Sequence, residues 1–170
     1  MDADACIAAL DANAVAIAAL ARAMPADAVR VRPTPMDWSA LDVLNHLGDE
    51  EREDFRTRLD AALRESPTMV PPIDPAGWVE ARAYATRDYE ESLARFLVER
   101  QQSLRWLRGL VAPDWSHTCL LPSGQHIRAG DLLAAWVAHD LLHLRQLVAV
   151  QYHAHAHAVA PYHVAYAGDW

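Results

Sequence analysis

The sequence predicts an all-α fold, namely a four-helix bundle with long crossover loops and a small hairpin before the last helix. Apolar residues recur every three or four positions in four long segments, which is typical of bundle helices. Proline-containing stretches separate these segments, and Pro-Ser-Gly lies between two short β-prone runs. The chain has 170 residues, 52% of them hydrophobic, which fits one domain with a sizeable core and excludes disorder by composition.

The first helix is predicted from apolar residues at alternating three- and four-residue steps: Ile7, Leu10, Ala14, Ile17, Ala21 and Met24. Pro25 closes it, and residues 30–35 form a loop because Pro33 and Pro35 disfavour a helix. A second helix is expected to begin at Ser39, a good N-cap, with Asp42 three residues on. Its apolar stripe consists of Leu41, Leu44, Phe55 and Leu59, and the four-proline linker from Ser66 to Pro75 follows it.

A third helix is predicted from about Ala76 to Val111, with Pro113 stopping it. Its helical period is carried by Trp78, Ala85, Tyr89, Phe96, Ser103, Trp106 and Leu110. The segment 115–127 is expected to form the hairpin. The fourth helix should begin near Ala129 or Asp131 and run to about Tyr152, which divides the chain into a bundle, residues 1–152, and a histidine-rich tail, residues 153–170.

The predicted fourth helix is apolar on two opposite faces. One face carries Leu132, Trp136, His139, His143, Leu147 and Val150, and the other carries Leu133, Val137, Leu141, Leu144 and Val148. A helix that is apolar all round is usually buried on both sides. Since one side faces the bundle core, the other side needs a partner, and we predict a homodimer.

The net charge and the N-terminal sequence limit the partners and the compartment that we expect for the protein. The formal net charge is -8 and every basic residue is arginine, which argues against nucleic acid as the main partner. The chain has no run of eighteen or more apolar residues, so the sequence does not predict a membrane span. The N-terminus lacks the positive start of a secretory signal. We therefore expect a cytoplasmic protein, in which Cys6 and Cys119 are small apolar residues in a reducing compartment.

Three histidines are the candidate functional residues. His139 and His143 are one helical turn apart, so both imidazoles lie on one face of the fourth helix, in the centre of an apolar stripe. Burial there costs free energy unless each ring finds a partner, which a metal ion would supply. His46 is the weaker candidate, because by helical phase it lies at the flank of its stripe, near Glu50 and Glu53. Two hydrogen-bonded core histidines and an exposed His46 are the alternative interpretation.

Three segments resemble one protein family. Residues 38–47 (Trp-Ser-Ala-Leu-Asp-Val-Leu-Asn-His-Leu) look like the motif that opens helix two of the DinB-like, or YfiT-like, bundles. Residues 138–147 (Ala-His-Asp-Leu-Leu-His-Leu-Arg-Gln-Leu) look like the helix-four motif of that family, and residues 121–133 resemble the approach to it. The resemblance covers essentially the whole chain in order and helix spacing.

The resemblance implies a divalent metal on His46, His139 and His143, which leaves a position for water or substrate. Zinc or nickel suits imidazole ligands, and iron and manganese remain open. Family relatives include transferases and isomerases that use low-molecular-weight thiols, so the resemblance implies thiol-dependent S-transfer or hydrolysis on a small molecule. A non-catalytic metal-binding stress-response bundle and a structural dimer are the alternatives.

Other residues with metal-site character receive weaker assignments. His139-Asp140-x-x-His143 is similar to the zinc-protease pattern His-Glu-x-x-His, but Asp140 is one methylene shorter than glutamate and is expected to be solvated or structural. Glu50 is a candidate fourth ligand or base, although a solvent-facing acid is favoured. A ferritin-like di-iron centre needs Glu-x-x-His pairs, which the chain lacks.

The remaining metal-binding and aromatic candidates lie outside this set. The tail histidines are expected in a loose, solvated segment that could bind metal adventitiously: His153, His155 and His157. Three tryptophans are expected to fill the core rather than line a site: Trp38, Trp106 and Trp136.

Overall fold

A computed structural model describes residues 1–66 and 68–168 as a helical bundle with one small hairpin. Pro67 in the predicted linker and residues 169–170 of the predicted tail lie outside the described residues. The helices are α1 (Ala3–Arg22), α2 (Ala40–Glu50), α3 (Arg56–Leu63), α4 (Pro75–Ala81), α5 (Tyr89–Arg108) and α6 (Ala129–Ala158), and the strands are β1 (Thr118–Leu120) and β2 (His126–Arg128). The predicted all-α four-helix bundle is confirmed.

The second bundle helix is continuous but changes its winding partway. A π-helical turn, Glu51–Phe55, joins α2 to α3, so the two form one rod. The start of this rod is the predicted one, because Ser39 and Asp42 form a capping box. The Ser39 hydroxyl accepts from the Asp42 N–H at 3.2 Å, and the Asp42 carboxylate accepts from the Ser39 N–H at 3.0 Å.

The four long helices pack so that α1 and the α2–α3 rod are each flanked by α5 and α6. Helix α1 is long and apolar enough to cross a membrane by length and composition alone. However, Leu10 and Ile17 of this helix are fully buried against the other helices, which is how a core helix of a bundle packs.

The predicted hairpin precedes α6. Strands β1 and β2 pair antiparallel with Cys119 opposite Ile127, and Gly124 in the connecting turn has a φ of 83°, which glycine adopts without strain. The linker after α3 adds to the strand edge, because the Val70 N–H donates to the Leu120 carbonyl at 3.0 Å.

The prediction of the third helix was wrong in its first part. Instead of one helix from Ala76 to Val111, the chain forms α4, a break with a 3₁₀ turn at Tyr84–Thr86, and then α5. Ala83 has a φ of 49°, which no right-handed helix contains. The break places Tyr84 in a fully buried position, where its hydroxyl donates to Asp49 in α2 at 2.6 Å.

The fourth helix begins at Ala129 as predicted but continues beyond Tyr152 to Ala158. The tail histidines at 153, 155 and 157 are therefore helical rather than part of a loose segment. Nothing between Tyr152 and Pro161 stops a helix, because alternating alanine and histidine are compatible with helical backbone.

A layer of polar side chains divides the core into two apolar clusters. One cluster contains Ile17, Leu44, Phe96 and Leu147, and the other contains Leu10, Leu59, Leu104 and Trp136. Between them Arg100 of α5 is completely buried and binds both carboxylate oxygens of Asp140 in α6, at 2.8 and 2.7 Å. The candidate histidines occur at the same level along the helices.

Candidate metal centre

The structure brings His46, His139 and His143 together. The Nε2 atom of His139 lies 3.1 Å from Nε2 of His46 and 3.0 Å from Nε2 of His143. One ring nitrogen from each residue falls within 4.8 Å of the other two. The three rings therefore converge on one point between α2 and α6.

The packing of α2 explains why the sequence did not indicate where His46 points. Every residue of α2 is buried, so the helix has no solvent-facing side from which its inner face could be identified. His46 is only 3% exposed, and the alternative of an exposed histidine is wrong. His139 and His143 meet it because α6 packs against α2 and the two rings are one turn apart.

The environment keeps the three rings neutral. Burial, reinforced by the charges that His143 and His139 would carry, lowers the pKa of His46 to about 2. Burial, then His143 and Arg100, lowers the pKa of His139 to about 3. Burial also lowers the pKa of His143, although the hydrogen bond to Gln146 opposes it. At neutral pH all three imidazoles are uncharged, which is the form that binds metal.

A hydrogen bond fixes which nitrogen of His143 faces the centre. The Nδ1–H of His143 donates to Oε1 of Gln146 at 2.6 Å, so Nε2 carries the lone pair. Sequence analysis did not single out Gln146, although its position three residues after His143 on the same helix places the two side chains side by side.

The geometry of these donors fits a divalent cation. Three imidazoles bound at about 2.0–2.1 Å in a tetrahedral arrangement have nitrogens about 3.3 Å apart, close to the 3.0 and 3.1 Å separations here. Without an ion, Nε2 of a neutral His139 is either a donor or an acceptor, so its two short contacts cannot both be ordinary two-centre hydrogen bonds, whereas an ion would be bound by all three nitrogens. Among the described residues, no other set of histidine, cysteine and carboxylate side chains converges in this way.

Glu50 neither faces solvent nor belongs to the converging set of ligands. The residue is only 4% exposed. Its Oε1 atom lies 4.0 Å from Nδ1 of His46, on the side of the ring that faces away from the other histidines. Both atoms are buried without a hydrogen-bond partner. Burial, and then Asp54, raises the pKa of Glu50, which favours its neutral form.

Two aromatic rings flank the histidines. The centroid of Trp38 lies 4.7 Å from that of His46 and 6.1 Å from that of His143, nearly parallel to the latter ring. Phe55 approaches His139 edge-on at 5.0 Å. The expectation that Trp38 only fills the core is therefore incomplete, because its ring also lines the centre.

Asp140 is structural rather than solvated. Its two carboxylate oxygens accept from Arg100, whose Nη1 also donates to the Leu10 carbonyl at 2.7 Å. Glu51 completes the layer by accepting from Arg100 and from Nε1 of Trp136 at 2.9 Å. Since Asp140 is fully engaged with Arg100, it does not occupy the role of the glutamate in a zinc protease.

The cysteines and the tail histidines lie outside the centre. Both cysteines are free thiols; Cys119 is buried in β1, and burial raises its pKa. Among the described residues, none of the tail histidines joins a converging set of three ligands.

Comparisons with known proteins agree with this arrangement. The family model of the DinB superfamily matches residues 9–147, whereas no curated protein matches the sequence significantly. The structure is similar to that of YfiT from Bacillus subtilis, a protein described as a probable metal-dependent hydrolase with an unusual four-helix bundle topology. The TM-score is 0.79 at 19% identity, over 90% of this chain and 87% of that one, which shows a shared fold. Because the family match spans most of the sequence and the bundle agrees with it, the chain belongs to the DinB superfamily.

Proposed function

We propose that the protein is a metal-dependent enzyme acting on a small molecule, with a divalent ion held by Nε2 of His46, His139 and His143. The observation that carries this proposal is the convergence of three neutral imidazoles at 3.0 and 3.1 Å in a buried position. Three imidazoles suit zinc or nickel, and iron and manganese are also compatible with them.

The number of protein ligands favours catalysis over a structural ion. A structural zinc site is closed by four protein ligands, whereas a catalytic one keeps an open position. In the part of the chain that the structure describes, no fourth ligand reaches the centre, because Glu50 lies behind the His46 ring. His139 is the least buried of the three histidines.

The surrounding residues orient the ligands and limit access of water. Gln146 holds the His143 ring, while Trp38 and Phe55 cover the imidazoles with apolar surface. When bound, the ion supplies Lewis acidity that activates a water molecule or a thiol at neutral pH. The apolar rings strengthen that effect by lowering the local dielectric.

Two reaction classes follow from this arrangement. Hydrolysis is favoured by the likeness to YfiT, which is described as a probable metal-dependent hydrolase. Thiol-dependent S-transfer is the second candidate, with the sulfur supplied by a low-molecular-weight thiol because Cys119 is buried in its protonated form. In the first class water adds across the bond that breaks; in the second the thiolate displaces a leaving group from carbon.

Metal analysis of the untagged protein tests the proposed ligands. We expect His143→Ala to lose one equivalent of divalent metal that wild type and His155→Ala retain, since His155 is exposed and distant in sequence from the centre. Circular dichroism establishes that the variants are folded. Retention of the full metal content by folded His143→Ala would refute the assignment.

Two substrate panels then separate the reaction classes. Metal-loaded protein is incubated with esters and amides alone, and separately with an electrophile plus glutathione, mycothiol-like or bacillithiol-like thiols. Turnover without thiol identifies a hydrolase, and turnover that requires thiol identifies a transferase. In either case chelation of the ion must abolish turnover, and turnover that survives chelation contradicts metal dependence.

A further inference from the structure

A second pair of histidines lies at the end of α6, about ten residues beyond the converging set. Because α6 continues to Ala158, His153 and His157 are four residues apart on one helix face, and His155 projects from a different face. The helical backbone thus gives this pair the spacing of a two-histidine metal chelate.

A cavity of about 360 Å³ brings a third candidate ligand to this pair. It lies between the end of α6 and the loop that follows α1. Buried Ala28 and Val150 line it, and His153 and His157 face it together with Asp27 of the loop. His155 does not line the cavity, which agrees with its position on another helix face.

Four charged or titratable side chains line this cavity: His153, His157, Asp27 and Arg32. The guanidinium of Arg32 is paired with Asp42, at 3.0 Å from Nη2 to Oδ2, and the other three side chains are available for a ligand. Within residues 1–66 and 68–168, the structure shows no hydrogen bond or ion pair for Asp27 or His157, and His153 makes only a ring contact with Tyr152. All three residues are exposed.

We propose that His153, His157 and Asp27 form a second divalent-metal site, independent of the converging histidines. Two imidazoles and a carboxylate are ligands that zinc, nickel and cobalt accept, whereas magnesium prefers oxygen ligands alone. The ligand atoms do not yet lie within 4.8 Å of one another, so binding requires these exposed side chains to rotate into the cavity. An ion there ties the loop after α1 to the end of α6.

Zinc titration of the full-length, untagged and chelator-treated protein tests this site. By calorimetry we expect His157→Ala and His153→Ala each to bind one ion fewer than wild type, whatever the converging histidines hold. Asp27→Asn should weaken the same site by at least about tenfold, as loss of a metal-site group does. Magnesium should produce no binding at this site.

His155→Ala is the matched control, because it removes an exposed imidazole from the same helix segment without removing a cavity ligand. It should bind as many zinc ions as wild type. Unchanged stoichiometry in His157→Ala would overturn the proposal, as would an equal loss in His155→Ala, which would indicate unspecific binding to surface imidazoles. Unchanged affinity in Asp27→Asn would overturn the three-ligand site.

Discussion

The converging histidines differ in what holds their second ring nitrogen. Nδ1 of His143 donates to Gln146, whereas Nδ1 of His46 has no hydrogen-bond partner and faces Glu50 across 4.0 Å. A polar partner on the far nitrogen fixes the tautomer and the orientation of a ligating ring. Gln146 therefore acts as a positioning residue for His143.

Replacing Gln146 by methionine keeps the side-chain volume and removes the acceptor. We expect Gln146→Met to weaken zinc binding by about 10–100-fold, because the His143 ring is no longer held with Nε2 towards the centre. Competition with a fluorescent chelator measures the affinity. Gln102→Met, at an exposed position in α5, is the control, and a comparable loss there would contradict the positioning role.

Asp49 gives a residue-scale prediction of pH dependence. Burial alone would raise the pKa of Asp49, but hydrogen bonds from Tyr84 and Arg95, with the charge of Arg95, lower it below its usual range. A carboxyl with a lowered pKa stabilises the fold above the unfolded-state pKa of about 3.9. This stabilisation disappears as the pH falls through the folded-state pKa.

Comparing Asp49→Asn with wild type isolates this contribution. At pH 7 the free energy of unfolding of the variant should be about 1–3 kcal/mol lower than that of wild type, since hydrogen bonds to a charged group are lost. Below about pH 4 this difference in the free energy of unfolding should shrink, because the Asp49 carboxylate of wild type becomes protonated and loses its charge. Urea unfolding across this range measures it. A difference that does not change with pH would show that the charge of Asp49 is unimportant.

At the level of elements, local chemistry predicted helix starts better than helix continuity. The Ser39–Asp42 capping box and the Pro-Ser-Gly turn depend on residues close in sequence, so the start of α2 and the hairpin could be predicted. The break between α4 and α5 depends on distant contacts: Tyr84 and Arg82 both reach Asp49 in α2. A helical period in the sequence carries no information about such contacts.

The same limit applied to the metal centre. The spacing of His139 and His143 predicted that both rings lie on one helix face. The assignment of His46 to the same site came from the family resemblance, because its helical phase did not indicate it. Trp38 and Gln146 approach the centre through tertiary packing and a side-chain hydrogen bond, and only the second has a sequence signal, its spacing from His143.

The break between α4 and α5 leads to an opposite-sign pair of substitutions. Ala83 has a φ of 49°, a conformation that costs an L-residue about 1–2 kcal/mol, so Ala83→Gly should stabilise the protein by about 0.5–1 kcal/mol. Ala12→Gly, at an exposed position in the middle of α1, should destabilise it by about 0.5–1 kcal/mol. Chemical denaturation measures both. Destabilisation by Ala83→Gly would show that the break is not left-handed in solution.

At the level of the whole molecule, the Arg100 layer joins all four bundle helices, because the π-helical turn is part of the α2–α3 rod. Arg100 reaches Leu10 in α1, Glu51 in the turn and Asp140 in α6. Buried charges of this kind specify how helices align along each other, because any other alignment leaves a charge without its partner. The layer lies beside the converging histidines and fixes the relative height of α2 and α6.

Removal of the arginine should therefore be costly. We expect Arg100→Met to lower the free energy of unfolding by about 3–5 kcal/mol, since Glu51 and Asp140 remain buried without their cation. Arg105→Met, on the exposed side of α5, should change it by less than about 0.5 kcal/mol. Equal effects of the two substitutions in urea unfolding would contradict the role of the layer.

The homodimer stays a prediction at this scale. Of the second apolar face of α6, Leu133 is buried within the bundle, while Leu141 is 55% exposed, as is its neighbour Leu142 at 53%. Sedimentation at micromolar concentration tests whether a second copy covers these leucines, and a monomer would contradict the prediction.

The burial of His46 and His143 has a practical consequence for any ion held in the centre. Because two of its three ligating rings are buried, such an ion is expected to exchange slowly with a competing chelator. Slow exchange means that purified protein carries the ion it met while folding in the expression host. The preference of the protein among metal ions is then measured by equilibrium competition after refolding, and not by the metal content of the first preparation.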